Sequence, residues 1–255
     1  MLFRSLQAIQ FDLIPCLCGS FGHYVEIENS IARILCSLAR HLDLVQMIPT
    51  LLEYQDRYQS WTEKLAKFHK ISEEAARKWP NVIMMGGIFV YKGWLRSEGS
   101  AGVASDEIKF ALKLAVEVAV LSDEILRHRR FRWATADRAK LVAAGMSPAN
   151  VRAAMLSRVI ESCQSDIISH VQRCCHNLGW IARSKAFDSL ILEKAQDAKS
   201  SLAESLKMCQ TSCVMQGWDL KLVELPMHGM QDNIIKTIQD ARIVIAQLSK
   251  AAGSK

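Results

Sequence analysis

Residues 147–177, SPANVRAAMLSRVIESCQSDIISHVQRCCHN, show most clearly how this chain folds. The stretch begins with a serine followed by a proline, an order typical of a helix N-terminus because the first helical residue needs no amide hydrogen. Asn177, with Gly179 close behind it, is typical of a helix end. Between these signals, apolar side chains recur at steps of three or four and share one helix face: Leu156, Ile160, Cys163, Ile167, Val171 and Cys174. The pattern predicts a long helix with one buried face.

Helical spacing of this kind extends over nearly the whole chain, and proline and glycine are confined to the ends of the periodic segments. It predicts further helices that include residues 2–13, 24–41, 180–215 and 230–248. The apolar run VIMMGGIFVY, at residues 82–91, has no visible partner strands and is interpreted as a buried helix. We therefore expect an all-α protein.

A polar, glycine-bearing stretch at residues 96–105, RSEGSAGVAS, is the best candidate for a linker. A chain of 255 residues is long enough for one large domain or for two to three small ones. The sequence predicts two consecutive helical-bundle subdomains, residues 1–96 and 105–177, followed by a helical C-terminal domain, residues 180–255.

Composition excludes several classes of protein. Hydrophobic residues make up 50% of the chain, which is enough to bury cores and argues against disorder. The longest apolar run is far shorter than the ~20 residues that a membrane-spanning helix needs. Asp12 and Pro15 interrupt any signal-peptide core. The eight cysteines cluster in helix-like segments, which indicates free thiols and a protein kept inside a cell.

The sequence lacks the common catalytic motifs. It has no GxxxxGK[ST] phosphate loop, no HExxH zinc motif, no GxSxG nucleophile motif and no GxGxxG after a strand. We therefore predict that the protein is not an enzyme, that it has no catalytic residue and that it takes no small-molecule substrate.

Cysteines and histidines in residues 161–177 raise the question of a metal site. His170 and Cys174 have the four-residue spacing of two ligands on one helix, and His176 is a further candidate. Cys163 and Cys174 lie about 16 Å apart along a helix, so one metal cannot take both. Cysteines on an apolar stripe are usually core residues. We expect Cys163 and Cys174 to pack in the core and no cofactor to be bound, with zinc as the open alternative.

Positive charge is concentrated in one part of the chain. The stretch from Arg127 to Lys185 contains eleven Lys and Arg residues against three Asp and Glu, whereas the whole chain has a net charge of +6. Phe131 and Trp133 are interleaved with the densest bases. These bases are Arg127, Arg129, Arg130, Arg132, Arg138 and Lys140.

On a continuous helix, Arg127, Arg130 and Arg138 would share one broad face, with the other three bases on the adjoining face. The run predicts a surface that binds a polyanion, either a phosphate backbone or anionic lipid headgroups. The alternatives are a solvated helix end whose bases complement the dipole and a segment recognised for nuclear import.

Several segments resemble the orthomyxovirus matrix protein family. The likeness covers nearly the whole chain. The segments are FDLIPCLCGSFGHYVEIENSIARIL (11–35), HLDLVQM (41–47), NVIMMGGIFVYKGWLRSEG (81–99), AGMSPANVRAAMLSRVIESCQ (144–164), ISHVQRCCH (168–176) and GMQDNIIKTIQ (229–239).

This resemblance implies a viral structural protein that self-assembles as a homo-oligomer into the virion matrix layer beneath the envelope. It implies binding to anionic membrane lipids at the cytoplasmic face of the host membrane, contact with the viral ribonucleoprotein or RNA, and a possible stage in the host nucleus. The chain departs from the family in having Cys163 alone before its histidines and in placing its basic run later.

Two other classes of function stay open. A helical nucleocapsid or RNA-binding protein would use the same bases to contact phosphates, with Phe131 or Trp133 stacked on nucleic-acid bases. A metal-binding helical regulator would use the cysteines and histidines instead.

Overall fold

The computed structural model describes residues 22–73, 75–77, 80–81, 83–84, 105–186, 188–196, 198 and 200–225. These residues belong to two compact units, each assembled from separated stretches of chain. The helical unit comprises Asn29–Asp166 and Cys213–Leu220. The sheet unit contains, of the described residues, 22–28, 167–212 and 221–225.

Helices account for most of the described residues. Short 3-10 helices lie at Val45–Met47 and Arg129–Thr135. The α-helices are α1 (Ser30–His41), α2 (Pro49–Asp56), α3 (Tyr58–His69), α4 (Ser105–Arg127), α5 (Arg138–Ala143), α6 (Pro148–Asn177) and α7 (Leu202–Met215).

The core of the helical unit is aliphatic. Its fully buried side chains include Leu35, Leu51 and Leu121, from α1, α2 and α4. Glu117 of α4 joins two of these helices, because its carboxylate accepts the backbone N–H groups of Thr50 and Leu51 at 3.0 Å each. Those groups begin α2 and have no partner within that helix, so the carboxylate satisfies the helix start.

The long helix predicted from residues 147–177 is confirmed as α6. The backbone N–H of Asn150 donates to the Ser147 hydroxyl at 3.3 Å, and the helix begins at Pro148. It ends at Asn177, before Gly179, whose φ of +85° is the left-handed conformation that favours glycine. The predicted apolar face is buried from Leu156 to Val171. At its C-terminal end the prediction is wrong by one residue, because Cys175 is buried whereas Cys174 is only half-buried.

A four-stranded antiparallel sheet forms the second architectural feature. Its strands are β1 (His23–Ile27), β2 (Trp180–Lys185), β3 (Ser189–Lys194) and β4 (Leu222–Leu225), in the spatial order β2-β3-β1-β4. Val25 lies opposite Leu190 of β3 on one side and opposite Glu224 of β4 on the other. The N-terminal strand is therefore interior to the sheet, between two strands from the distant C-terminal part.

The all-α prediction is wrong because of this sheet. The segment 24–41 divides into β1 and α1, and the segment 180–215 divides into β2, β3 and α7. Strands of four to six residues are too short for apolar spacing to separate them from helical turns. In β3, Leu190, Ile191 and Leu192 are all buried, a continuous apolar run that fits a covered strand as well as a helix.

Some predictions fall outside the described residues. The helices expected at 2–13 and 230–248 lie there entirely, as does most of the 96–105 linker. Of the run 82–91, Ile83 and Met84 are described, and both are helical and buried. The consecutive domains at 1–96, 105–177 and 180–255 stay a prediction. Within the described part of the chain, no helix is long and apolar enough to cross a membrane.

Candidate polyanion-binding surface

The six predicted bases lie on three consecutive elements of the helical unit. Arg127 ends α4, the 3-10 helix carries the next three, and α5 carries the last two. All six side chains are exposed. We call this set the basic surface: Arg127, Arg129, Arg130, Arg132, Arg138 and Lys140.

The 3-10 helix determines which side chains face outward. Its three-residue repeat buries Phe131 and Ala134 and leaves the intervening residues in solvent. His128 begins it with an extended backbone, and its imidazole Nδ1 accepts the backbone N–H of Arg130 at 3.4 Å. The prediction that the bases share faces of one continuous helix is therefore wrong, because α4 ends before this turn.

Part of the positive charge is neutralised by neighbouring acids. Arg127 pairs with Glu124 at 2.7 Å, and Lys140 pairs with Asp137 at 3.1 Å. Asp137 also accepts a hydrogen bond from Arg158 of α6 at 2.9 Å. Hydrogen bonds first from Lys140 and then from Arg158 lower the pKa of Asp137 below its usual value. These contacts hold the start of α5 against α6.

Four arginines have no carboxylate partner among the described residues: Arg129, Arg130, Arg132 and Arg138. The Arg130 guanidinium lies 5.5 Å from the centre of the Phe131 ring, a favourable cation–π contact that leaves its charge unneutralised. An excess of fixed positive charge at this surface favours negatively charged partners.

Two apolar side chains accompany these arginines at the surface. Trp133 is 49% exposed and Val142 of α5 is 57% exposed. Isolated exposed apolar residues are ordinary. Here an indole and an aliphatic side chain stand beside unneutralised arginines, and this combination suits a boundary between water and an apolar phase.

The predicted metal candidates belong to the sheet unit. The Cys174 Sγ lies 3.5 Å from the His170 Nε2, and the Ser212 hydroxyl lies 2.8 Å from the same nitrogen. Burial, followed by the nearby charge of Arg173, lowers the pKa of His170, which favours the neutral imidazole. His176 is exposed. Across the residues that the structure describes, no group of three or more His, Cys, Asp or Glu could hold a metal ion.

Sequence reasoning missed one close pair of thiols. The Cys175 Sγ and the Cys209 Sγ lie 3.6 Å apart, and both side chains are buried. A hydrogen bond with Cys175, and then burial, raise the pKa of Cys209. The four-residue spacing of Cys209 and Cys213 suggested only a pair that folding would have to bring to a metal site, and nothing in the sequence indicated which residue of α6 either thiol contacts. Cys163 is buried as predicted, and burial raises its pKa to about 11.

Comparisons with known proteins identify no relative. No model of a known protein family matches the chain, and no curated protein matches it. The likeness to orthomyxovirus matrix proteins rests on the quoted segments, and the sheet departs from the helical fold that the likeness implies.

Proposed function

We propose that this protein binds anionic membranes through the basic surface and acts as a matrix-type structural protein. The observation that carries the proposal is that four arginines without a carboxylate partner in the described chain share two consecutive elements with the exposed side chains of Trp133 and Val142. Each base held near an anionic membrane surface contributes about 1 kcal/mol to binding. Trp133 would lie at the headgroup level, where an indole has both apolar and polar contacts.

Assembly would make this weak attraction strong. A single patch of a few bases gives modest affinity, whereas a layer of linked copies raises the total affinity by multivalency. A homo-oligomeric layer beneath a viral envelope is what the family resemblance implies. In the proposal, the protein is not an enzyme, lies at the cytoplasmic face of the host membrane and in the virion, and contacts the viral ribonucleoprotein.

A second candidate function is binding to single-stranded RNA. Trp133 is exposed directly after Arg132, and an indole beside a guanidinium is a suitable stacking platform for nucleic-acid bases. Val142 favours the membrane, because an exposed aliphatic side chain gains more from an apolar phase than from a polyphosphate groove.

The test measures binding to vesicles of phosphatidylcholine with and without phosphatidylserine, and to single-stranded RNA, each at two salt concentrations. The variant changes Arg129, Arg130 and Arg132 to Gln. Its control changes three exposed lysines elsewhere, Lys67, Lys113 and Lys207, to Gln, so that both proteins lose the same charge. Losing three bases at the surface should weaken vesicle binding about 100-fold at low salt.

The control should bind within about threefold of the wild type, since lysines away from the contact act only through net charge. Equal weakening of the two variants would show that the arginine cluster has no special role, and the proposal would fail. Tight RNA binding without binding to phosphatidylserine vesicles would favour the second candidate.

A further inference from the structure

A cavity of about 530 Å³ lies in the helical unit beside the basic surface. The end of α4, the end of the 3-10 helix, α5 and the first two turns of α6 form its walls. Its volume falls within the range of about 300–1,000 Å³ that is usual for small-molecule sites. The cavity is therefore large enough for a ligand, and two arginines of the basic surface, Arg127 and Arg138, line it.

Positive charge predominates among its lining groups. Arg127, Arg138 and Arg152 all line it, against a single carboxylate, that of Asp123. Asp123 pairs with Arg152 at 3.2 Å, and Arg127 pairs with Glu124, which does not line the cavity. Arg138 has no carboxylate partner among the described residues. The lining thus contains one guanidinium without a carboxylate partner, that of Arg138. Arg127 and Arg152 each contact one carboxylate, and a guanidinium has five N–H donors, so both retain N–H groups that can bind a ligand.

The remaining wall is apolar. Met155 and Val151 of α6 and Leu126 of α4 are buried, while Val142 and Met146 lie nearer the opening. Methionine side chains adapt to irregular apolar ligands because their thioethers are flexible and polarizable. This wall would gain from an alkyl chain, whereas a small hydrophilic anion would leave it in contact with water.

We propose that the cavity binds an anionic amphiphile, with its phosphate or carboxylate head at Arg138 and its alkyl chain against Met146 and Met155. Guanidinium groups donate paired hydrogen bonds to phosphate and carboxylate oxygens, so the head is held by geometry as well as charge. The inference rests on the proposed function in one respect, because an anionic membrane is the natural source of such a molecule. A soluble phosphate ester that carries an alkyl chain has the same anionic head and apolar tail.

The probe is decyl phosphate, used below its micelle concentration and titrated by calorimetry into the full chain. Inorganic phosphate tests the head alone, and decyltrimethylammonium tests the tail with the opposite charge. Decyl phosphate should bind saturably at one site per chain. Inorganic phosphate should bind at least about tenfold more weakly, because it leaves the apolar wall uncovered. Equal affinity for inorganic phosphate, or equal affinity for the cationic amphiphile, would overturn the proposal.

Two variants with matched controls locate the site. Arg138→Gln should weaken decyl phosphate binding about tenfold or more, whereas Arg173→Gln, at another exposed arginine without a carboxylate partner in the described chain, should not. Val142→Trp should fill the cavity mouth and block binding, whereas Val116→Trp, at a comparably exposed valine of α4, should not. Melting temperatures confirm that each variant is folded. Decyl phosphate binding that survives both Arg138→Gln and Val142→Trp would overturn the assignment.

Vesicles containing phosphatidic acid separate the two sources of the ligand. The control is Arg132→Gln, because Arg132 belongs to the basic surface but does not line the cavity. A lipid source is supported if Arg138→Gln weakens vesicle binding more than Arg132→Gln does, and a soluble source is supported if the two variants weaken it equally. The cavity proposal fails alone if vesicles bind through Arg129, Arg130 and Arg132 but decyl phosphate does not bind. The membrane function fails alone if decyl phosphate binds and anionic vesicles do not.

Discussion

Two polar clusters in this molecule are built in opposite ways. The basic surface exposes its groups, and four of its arginines have no carboxylate partner within the described part of the chain. In the sheet unit, by contrast, polar groups contact one another: His170 lies 2.8 Å from Ser212 and 3.5 Å from Cys174, and the buried thiols of Cys175 and Cys209 lie 3.6 Å apart. This difference indicates which polar groups can bind a partner. Polar groups that bond one another stabilise the fold, whereas exposed charges in excess are available to a partner.

The largest expected effect comes from comparing a buried tryptophan of the sheet unit with an exposed tryptophan of the helical unit. Trp180 of β2 is buried, and its indole N–H donates to the Ser205 hydroxyl at 2.9 Å, whereas Trp133 is exposed. Trp180→Ala should lower the free energy of unfolding by about 3–5 kcal/mol, measured by urea denaturation. Trp133→Ala should change it by less than about 0.5 kcal/mol and should weaken vesicle binding instead. Similar losses of stability in both variants would break the comparison.

Cysteine reactivity should sharpen the same contrast between accessible and buried groups. Cys174 is half-buried, whereas Cys36 and Cys163 are buried, and burial raises their pKa values to about 12 and about 11. Because burial shields the Cys163 thiol and lowers its thiolate fraction, iodoacetamide at pH 8 should modify the half-buried Cys174 at least about tenfold faster than Cys163. Peptide mass spectrometry at short reaction times measures each site. Faster modification of Cys163 would contradict the buried position of that thiol.

Substitution of Glu117 tests whether a charged group inside the helical unit stabilises the fold. Glu117→Gln keeps the shape but weakens the two hydrogen bonds that begin α2. We expect a loss of about 1–2 kcal/mol in the free energy of unfolding, measured by urea denaturation. Glu63→Gln, at an exposed residue of α3, is the control and should be nearly neutral. An equally small effect at Glu117 would show that solvent satisfies the start of α2 just as well.

The smallest expected effect concerns Asp137 and the pH dependence of stability. Its pKa is lowered in the folded protein, so its contribution is present above the ordinary value of about 3.9 and is lost as pH falls through the folded value. Asp137→Asn should therefore be less stable than the wild type at pH 7 and should approach it at strongly acid pH. Urea denaturation across this range measures the difference, with Asp56→Asn, at the exposed aspartate that ends α2, as the control. A difference that does not change with pH would contradict the role of the carboxylate charge.

The sequence predicts those elements whose residue pattern lies within one segment of the chain, and it misses those that depend on pairing with a distant segment. The helix α6 was predicted because its apolar stripe recurs at helical spacing from Leu156 to Cys174, and no strand produces such a pattern. The sheet was missed because β1 pairs with β3, more than 160 residues later, and nothing local to His23–Ile27 points to that partner.

The candidate site shows the same limit. Composition alone located the basic residues, because six bases within fourteen residues are unusual in any fold. The 3-10 turn that orients them depends on burial of Phe131 and Ala134 in the helical unit. The cavity depends on α4, α5 and α6 meeting, which no single segment encodes.

The interior position of β1 also has a consequence for synthesis of the chain. A ribosome adds about 5–20 residues per second, so β1 emerges roughly 10–30 s before its neighbour β3 is made. During that interval both edges of the strand lack their native partners and can pair with other unfolded chains. Nascent chains that stop before Ser189 should therefore depend on chaperones far more than the completed protein does.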